Sequence, residues 1–335
     1  VVIDIAQKKR LFDIPNDRKV HKRAISSLGG VAIFTSFLVS SLLFIPDSLQ
    51  PQFRFFLVGI AIMFLIGLKD DLTNLSAINK LIGQIFVASI LIHAGGLRLT
   101  GMYGLFGVTE VPALFAYGLT YFTIIVVMNA FNLIDGIDGL ATSLGMLSGL
   151  VFGVYFFLAN QMAYSMLAFS LLGSLSAFLL FNRQPARIFM GDVGALMLGL
   201  LMAVSTSVVG GRADPQIQGV SGQTYFFIAP LFIPLLILGV PFFDVLFAIL
   251  RRTVSRQGFA TADRGHLHHR LIALGHGPRR AVVILWAWTA LLSTIALYPA
   301  LISTKPNFWP LLAAAIVLAA FTVLHPRWRP HETAE

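Results

Sequence analysis

Residues 112–158 read PALFAYGLTYFTIIVVMNAFNLIDGIDGLATSLGMLSGLVFGVYFFL. Two apolar stretches, 112–131 and 139–158, each supply the roughly 20 mostly apolar residues that a helix needs to cross about 30 Å of hydrocarbon. The connection between them is very short and holds Asn132, Asp135 and Asp138 among glycines. Polar groups so near membrane depth are expensive unless they are paired or functional. This stretch therefore predicts two membrane helices joined by a turn with a function of its own.

Working outward, eight more stretches of the same kind run over 28–45, 53–68, 81–94, 164–181, 193–209, 225–249, 281–303 and 308–324. Composition agrees: 57% of the 335 residues are apolar and 12% charged, with a mean hydropathy of +0.82, whereas a soluble domain is about 25% charged. The expected fold is all-α, a polytopic transmembrane helical protein with about ten spans, forming one integral membrane domain over 1–335. Val1–Ala6 is apolar but too short to span and has no signal-peptide cleavage pattern, so it reads as the stub of a truncated first helix. Cysteine is absent, which excludes disulfides and thiolate chemistry. There is no GxxxxGK[ST] run and no GxGxxG run after a strand, so neither a P-loop nor a Rossmann unit is indicated.

Charge orients the chain. With the basic segment before the first full span placed on the cytoplasmic side, alternation leaves 20 of the 24 lysines and arginines inside; Arg54, Arg98, Arg212 and Lys305 fall outside. Cytoplasmic loops retain Lys and Arg. The net charge of +9 therefore belongs to topology and anionic lipid rather than to nucleic acid. Residues not used in that assignment sort the same way. Asp70 and Asp71, then Asn132, Asp135 and Asp138, then Asp192, and finally His266, His268 and His269 in a large cytoplasmic loop over 250–280, all fall on the inner face.

Each cluster has a plain reading beside the functional one. Asp70-Asp71 next to Lys69 suits a solvated helix end, and Asp135 and Asp138 suit a capping turn. Glycines 136 and 139 equally let backbone approach a ligand's phosphate or base. Phe189-Met190-Gly191-Asp192-Val193-Gly194 again sets a carboxylate at a helix start between glycines. Separated carboxylates and amides without cysteine favour a hard cation, magnesium or in its place manganese, completed by substrate phosphates. His266-Leu267-His268-His269, flanked by Arg264 and Arg270, reads as a contact for anionic oxygens; packing and metal ligation are the alternatives, and its spacing is not HExxH. Asp244 is an intramembrane carboxylate. The preferred reading is a structural salt bridge with Arg251 or Arg252, or a snorkelling role, ahead of catalysis.

These motifs together resemble the polyprenyl-phosphate N-acetylhexosamine-1-phosphate transferases, the superfamily that includes phospho-MurNAc-pentapeptide translocase. The resemblance runs over nearly the whole chain: Asp13-Ile14-Pro15-Asn16 with Arg18-Lys19-Val20-His21 and Gly29-Gly30, Asp70-Asp71 with Lys80, Asn129 to Leu140, Phe189 to Asp192, and His266 to His269. Ala24 and Ser26 stand where the family has prolines. The resemblance implies that UDP-HexNAc and polyprenyl phosphate react to give polyprenyl-diphospho-HexNAc and UMP. By the same resemblance, Asn132 and Asp192 are metal ligands, Lys80 with His266, His268, His269 and Arg264 holds phosphate oxygens, and Asp70 and Asp71 position or deprotonate the lipid phosphate. Asp135, Gly136, Ile137, Asp138 and Phe189 surround the uridine, and Asn129 joins the nucleotide-sugar contacts. The His-Leu-His-His pattern is similar to the plain N-acetylhexosamine branch, with UDP-MurNAc-pentapeptide as the alternative donor. A secondary transporter is the alternative from another class, although its carboxylates would lie near the midplane. Dimerisation is left open.

Overall fold

In lipid every backbone N–H and C=O must be satisfied inside the protein, so long apolar runs become helices. The computed structural model describes residues 2–9, 25–44, 53–105, 108–211, 232–254 and 265–302. Arg264, the motif segment 13–21 and the expected span 308–324 lie outside the described residues. The helices are α1 (Val2–Lys9), α2 (Gly29–Phe44), α3 (Phe53–Thr73), α4 (Ala77–Ser89), α5 (Ala113–Ile134), α6 (Leu140–Leu158), α7 (Met162–Asn182) and α8 (Gly191–Gly211). They continue with α9 (Phe232–Ile237), α10 (Gly239–Val254), α11 (Leu267–Ala273) and α12 (Pro278–Ile302). Helix α4 runs on through a π-helical turn, Ile90–Ala94.

Among the described residues, six helices are long and apolar enough to cross a membrane: Ala77–Ala94, Ala113–Ile134, Leu140–Leu158, Met162–Asn182, Gly191–Gly210 and Pro278–Leu297. Gly29–Phe44 and Gly239–Ile249 are apolar but shorter. Helix α3 is 21 residues long and charged at both ends, by Arg54 and by Lys69, Asp70 and Asp71. The stretch expected as a single span over 225–249 is two helices where described, α9 and α10, meeting at Leu238. Among the described residues the all-helical expectation has one exception, an antiparallel hairpin of β1 (Gly101–Leu105) and β2 (Val108–Glu110) between α4 and α5.

Helix α8 is the axis of the fold. It is apolar all round, as a helix buried on every side must be, and Leu196, Met197, Leu198 and Leu200 have no exposed surface. Helices α2, α3, α5 and α6 pack against it, α7 lies along α6 and α2, and α10 lies along α5. Small residues set how closely these helices approach, since lipid offers no hydrophobic drive between them. A Cβ on Gly67 of α3 would come within 2.6 Å of the Val193 Cα on α8. Large apolar side chains such as Leu43, Leu65, Phe86, Phe122, Leu180 and Trp286 stay exposed, as a lipid-facing surface requires.

The antiparallel run of the helices decides where function gathers. Helices α3, α5 and α7 end, and α4, α6 and α8 begin, at the same end of the bundle. The hairpin lies at the opposite end, between the close of α4 and the start of α5.

Candidate functional site

Asp192 is the second residue of α8, and its side chain keeps 28% of its surface exposed. Two donors meet at its Oδ1. The Lys80 ammonium, one turn into α4, donates across 2.9 Å, and the Asn132 amide, near the end of α5, donates from Nδ2. Lys80 also pairs with Asp70. Asp70 is nearly buried and uses its other oxygen to accept from the Leu75 N–H at 2.6 Å, which turns the chain from α3 into α4. The neighbouring Asp71 holds α8 itself, accepting from the Asp192 and Val193 N–H groups at 2.8 and 3.1 Å. A helix start offers unpaired N–H groups and partial positive charge, and a carboxylate answers both. Four elements thus converge on one partly exposed carboxylate.

The turn between α5 and α6 forms the next wall. Asp138 is buried and accepts from the Ala186 N–H at 3.0 Å. Asn182, at the end of α7, accepts from the Thr142 hydroxyl at 2.7 Å and the Gly139 N–H at 3.2 Å, and donates to the Ile188 carbonyl at 3.0 Å. Gly139 has φ +77°, the left-handed conformation that glycine adopts without a Cβ clash. The loop 183–190 then pairs with the start of α2: Gly29 and Gly30 donate to the Phe189 and Met190 carbonyls, and Phe189 N–H to the Ser26 carbonyl. Asp135, in the turn, is raised well above the usual carboxylate range, first by burial and then by the negative charges of Asp192, Asp71 and Asp138. Carboxylates are in excess here, as they are where a cation or a protonated group belongs.

The histidine motif closes the site from the far end of the chain. Asp244 on α10, 3% exposed, accepts the Leu267 N–H at 2.8 Å and lies 2.9 Å from the His266 Nδ1. Through its two oxygens it both caps α11 and orients the imidazole. His268 follows, 1% exposed, its ring 4.2 Å from that of His269 and stacked with His266 at 5.9 Å. A Cβ on Gly136 would lie 2.6 Å from the His268 Nε2, so that glycine is what lets the motif approach the turn. Burial, then the positive charge of His269, lowers His268 to about 3, so its imidazole is neutral.

Residues 53–210 match the family model for glycosyl transferase family 4. A "Probable undecaprenyl-phosphate N-acetylglucosaminyl 1-phosphate transferase" of Bacillus subtilis is 32% identical over 323 residues, which is 96% of this chain and 85% of that protein. The chain belongs to the polyprenyl-phosphate N-acetylhexosamine-1-phosphate transferase family. A "Decaprenyl-phosphate N-acetylglucosaminephosphotransferase" of Mycobacterium tuberculosis is 30% identical over 329 residues, 92% of this chain and 79% of the relative. An "Undecaprenyl-phosphate alpha-N-acetylglucosaminyl 1-phosphate transferase" of Yersinia pestis is 28% identical over 323 residues, 95% and 84% of the two chains. With six spanning-length helices among the described residues, this transferase-family chain is a multi-pass membrane protein.

Of the residues the sequence singles out in this transferase-family chain, Asp70, Asp71, Lys80, Asn132 and Asp192 form one bonded cluster. Asp135 feels its charge, and Gly136 touches His268. Ile137 is buried core, while Phe189 is half-buried with its backbone tied to Ser26 and Gly29. Asn129 is paired within the protein, its Nδ2 donating to Gln84 at 2.8 Å and to the Ile125 carbonyl at 2.7 Å. Asp244, expected to meet Arg251 or Arg252, has His266 and Leu267 as partners. Two organisers escaped the sequence reading, Gln84 and Asn182. Both are polar residues in or at the end of apolar stretches, the signal that picked out Asp244, and Asn182 went unread because it also looks like an ordinary helix end.

Proposed function

We propose that this chain transfers N-acetylglucosamine 1-phosphate from UDP-GlcNAc to a polyprenyl phosphate, releasing UMP, on the cytoplasmic side of the membrane. The observation that carries the reading is Asp192, a partly exposed carboxylate whose Oδ1 receives both Lys80 and Asn132 where four elements converge. The relatives' names supply the donor sugar and the lipid class. The charge bias of 20 of 24 basic residues supports a cytoplasmic site. About ten spans are consistent with the six spanning helices together with α2, α3, the α9–α10 pair and the apolar stretch 308–324.

In the reaction, an oxygen of the lipid phosphate attacks the phosphorus that carries the sugar. The bond from that phosphorus to the bridging oxygen breaks, and UMP leaves with the oxygen. Both substrates are anionic, so the protein must lower their repulsion and align them. Lys80 has three donors and offers a positive charge at the mouth of the site. Asp70 and Asp71 act through their neighbours, one holding Lys80 and the other holding the first turn of α8, with the lipid phosphate beside them. That phosphate is largely ionised near neutral pH, so positioning outweighs proton removal. Asp135, Gly136 and Asp138 of the turn, with Phe189 from the loop 183–190, take the uridine, and the neutral His268 supplies a hydrogen-bonding nitrogen rather than a charge.

The donor set also fits a magnesium ion. Among the described residues no three His, Cys, Asp or Glu side chains form a cage, and magnesium characteristically uses one or two carboxylates with water and substrate phosphates. Asp192 and Asn132 are the residues to hold it: Asn132 donates from Nδ2, which leaves its Oδ1 for a cation. When bound, magnesium neutralises charge on the diphosphate. The purified protein should release UMP from UDP-GlcNAc only with both magnesium and polyprenyl phosphate present, and chelation should stop it. Turnover of UDP-MurNAc-pentapeptide instead would overturn the donor assignment, and release without lipid phosphate would overturn the acceptor.

A further inference from the structure

Helices α4 and α5 run antiparallel, and polar contacts tie them together at three levels. Nearest the site, Lys80 and Asn132 share the Asp192 Oδ1. One turn further along each helix, Gln84 and Asn129 form a reciprocal amide pair, with Asn129 Nδ2 to Gln84 Oε1 at 2.8 Å and Gln84 Nε2 to Asn129 Oδ1 at 3.4 Å. Beyond them, the Ser89 and Tyr121 hydroxyls meet at 2.8 Å. Gln84 is 1% exposed. The second hydrogen of the Asn129 amide goes to the Ile125 carbonyl at 2.7 Å, so that side chain is held at both ends.

We infer that Gln84 and Asn129 are positioning residues, which set the register of α4 against α5 so that Lys80 and Asn132 reach the same oxygen of Asp192. The inference rests on the transferase reading above. Apolar helix faces in lipid interlock in several near-equivalent registers, because the tails are as apolar as the side chains. A polar pair singles out one register, since any slide breaks its reciprocal bonds and leaves buried amide groups without their partner. The spacing makes the coupling direct: Gln84 follows Lys80 by four residues and Asn129 precedes Asn132 by three, so each amide stands beneath its partner on the same helix face. A slide of one residue would carry the ammonium about 1.5 Å along the axis. Misplacement by about 1 Å at a reacting centre costs on the order of a hundredfold in rate.

The test replaces the pair by apolar groups of similar shape, Gln84→Met with Asn129→Leu, which keeps the packing and removes the register signal. The double variant should unfold within a few degrees of the parent in detergent and keep its KM for UDP-GlcNAc, with kcat lowered roughly ten- to a hundredfold. Exchanging the amides, Gln84→Asn with Asn129→Gln, should recover most of that loss. An unchanged kcat in the apolar variant, or a fall in unfolding temperature that accounts for the loss and that the exchanged pair does not repair, would overturn the inference. A second readout needs no turnover: acylation of Lys80 by an amine reagent, followed by mass spectrometry, should rise several-fold in the apolar variant as the ammonium leaves Asp70 and Asp192. Equal labelling would overturn the inference even if the parent released no UMP, an outcome that would count against the functional reading alone.

Discussion

At Asp192, one oxygen receives an ammonium and an amide, and the helix that carries it is held by a second carboxylate. Asp192→Asn keeps the shape and removes the charge. The expected outcome is a fall in turnover of about a hundredfold or more, as when an electrostatic contact at the reacting centre is lost, with little change in unfolding temperature. Near-normal UMP release at ordinary magnesium would rule Asp192 out as a main ligand. His268 gives a prediction in pH. Its imidazole is lowered from an ordinary 6.5 to about 3 by burial. The folded state therefore resists binding a proton that the unfolded chain accepts, so its stability is full above about 6.5 and declines as pH falls towards 3. His268→Gln should show a flatter loss of unfolding temperature over that window. Identical slopes for the two proteins would mean that the buried imidazole does not set the acid sensitivity.

The elements meet where side chains grip backbone and where small residues let backbones approach. Helix α8 begins where Asp71 accepts its first N–H groups, and α3 reaches it because Gly67 has no Cβ. An asparagine in place of Asp71 can accept only through its one oxygen, and its amide hydrogens face the other N–H. Asp71→Asn should cost about 1–2 kcal/mol of stability, as a lost helix cap does. Turnover should fall sharply while UDP-GlcNAc binding, followed by calorimetry, stays measurable. A loss confined to nucleotide affinity would place Asp71 with the uridine instead. Gly67→Ile tests the close approach. The added atoms would push against Val193, and overpacking of this kind costs about 1–3 kcal/mol. The signature is lower thermal stability together with lost turnover, because the displaced helix also carries Asp70 and Asp71.

On the scale of the whole molecule, the site lies at one end of a helical bundle, and membrane orientation decides which compartment that end faces. The chain has no cysteine, so single cysteines report cleanly. A cysteine at Gln161, between α6 and α7, should react with an impermeant thiol reagent from outside intact cells. One at Thr73, exposed at the last residue of α3 at the site's end, should react only after the membrane is opened. Labelling of Thr73→Cys from outside would reverse the orientation.

The sequence by itself determined that this is a helical membrane protein, and for most of the described spans its starts and ends lie close to those observed; 225–249, which is two helices where described, is the exception. Hydrocarbon demands about twenty apolar residues per crossing and tolerates few exceptions. For the same reason, the polar clusters stood out against an apolar background and carried the family motifs. Which helix lies against which was not legible, because a helix that is apolar all round has no periodicity to show its inner face. The sequence reads Asn129 as a ligand contact, and nothing in it shows that Gln84, 45 positions away, stands opposite. Asp244 suggested an arginine partner nearby on its own helix, and the fold brought it His266 from the next segment. The hairpin strands, 101–105 and 108–110, are too short and mixed to declare themselves. Only the tertiary structure could decide these pairings, because each is a choice among several chemically adequate partners, and it is made by the register in which apolar surfaces interlock.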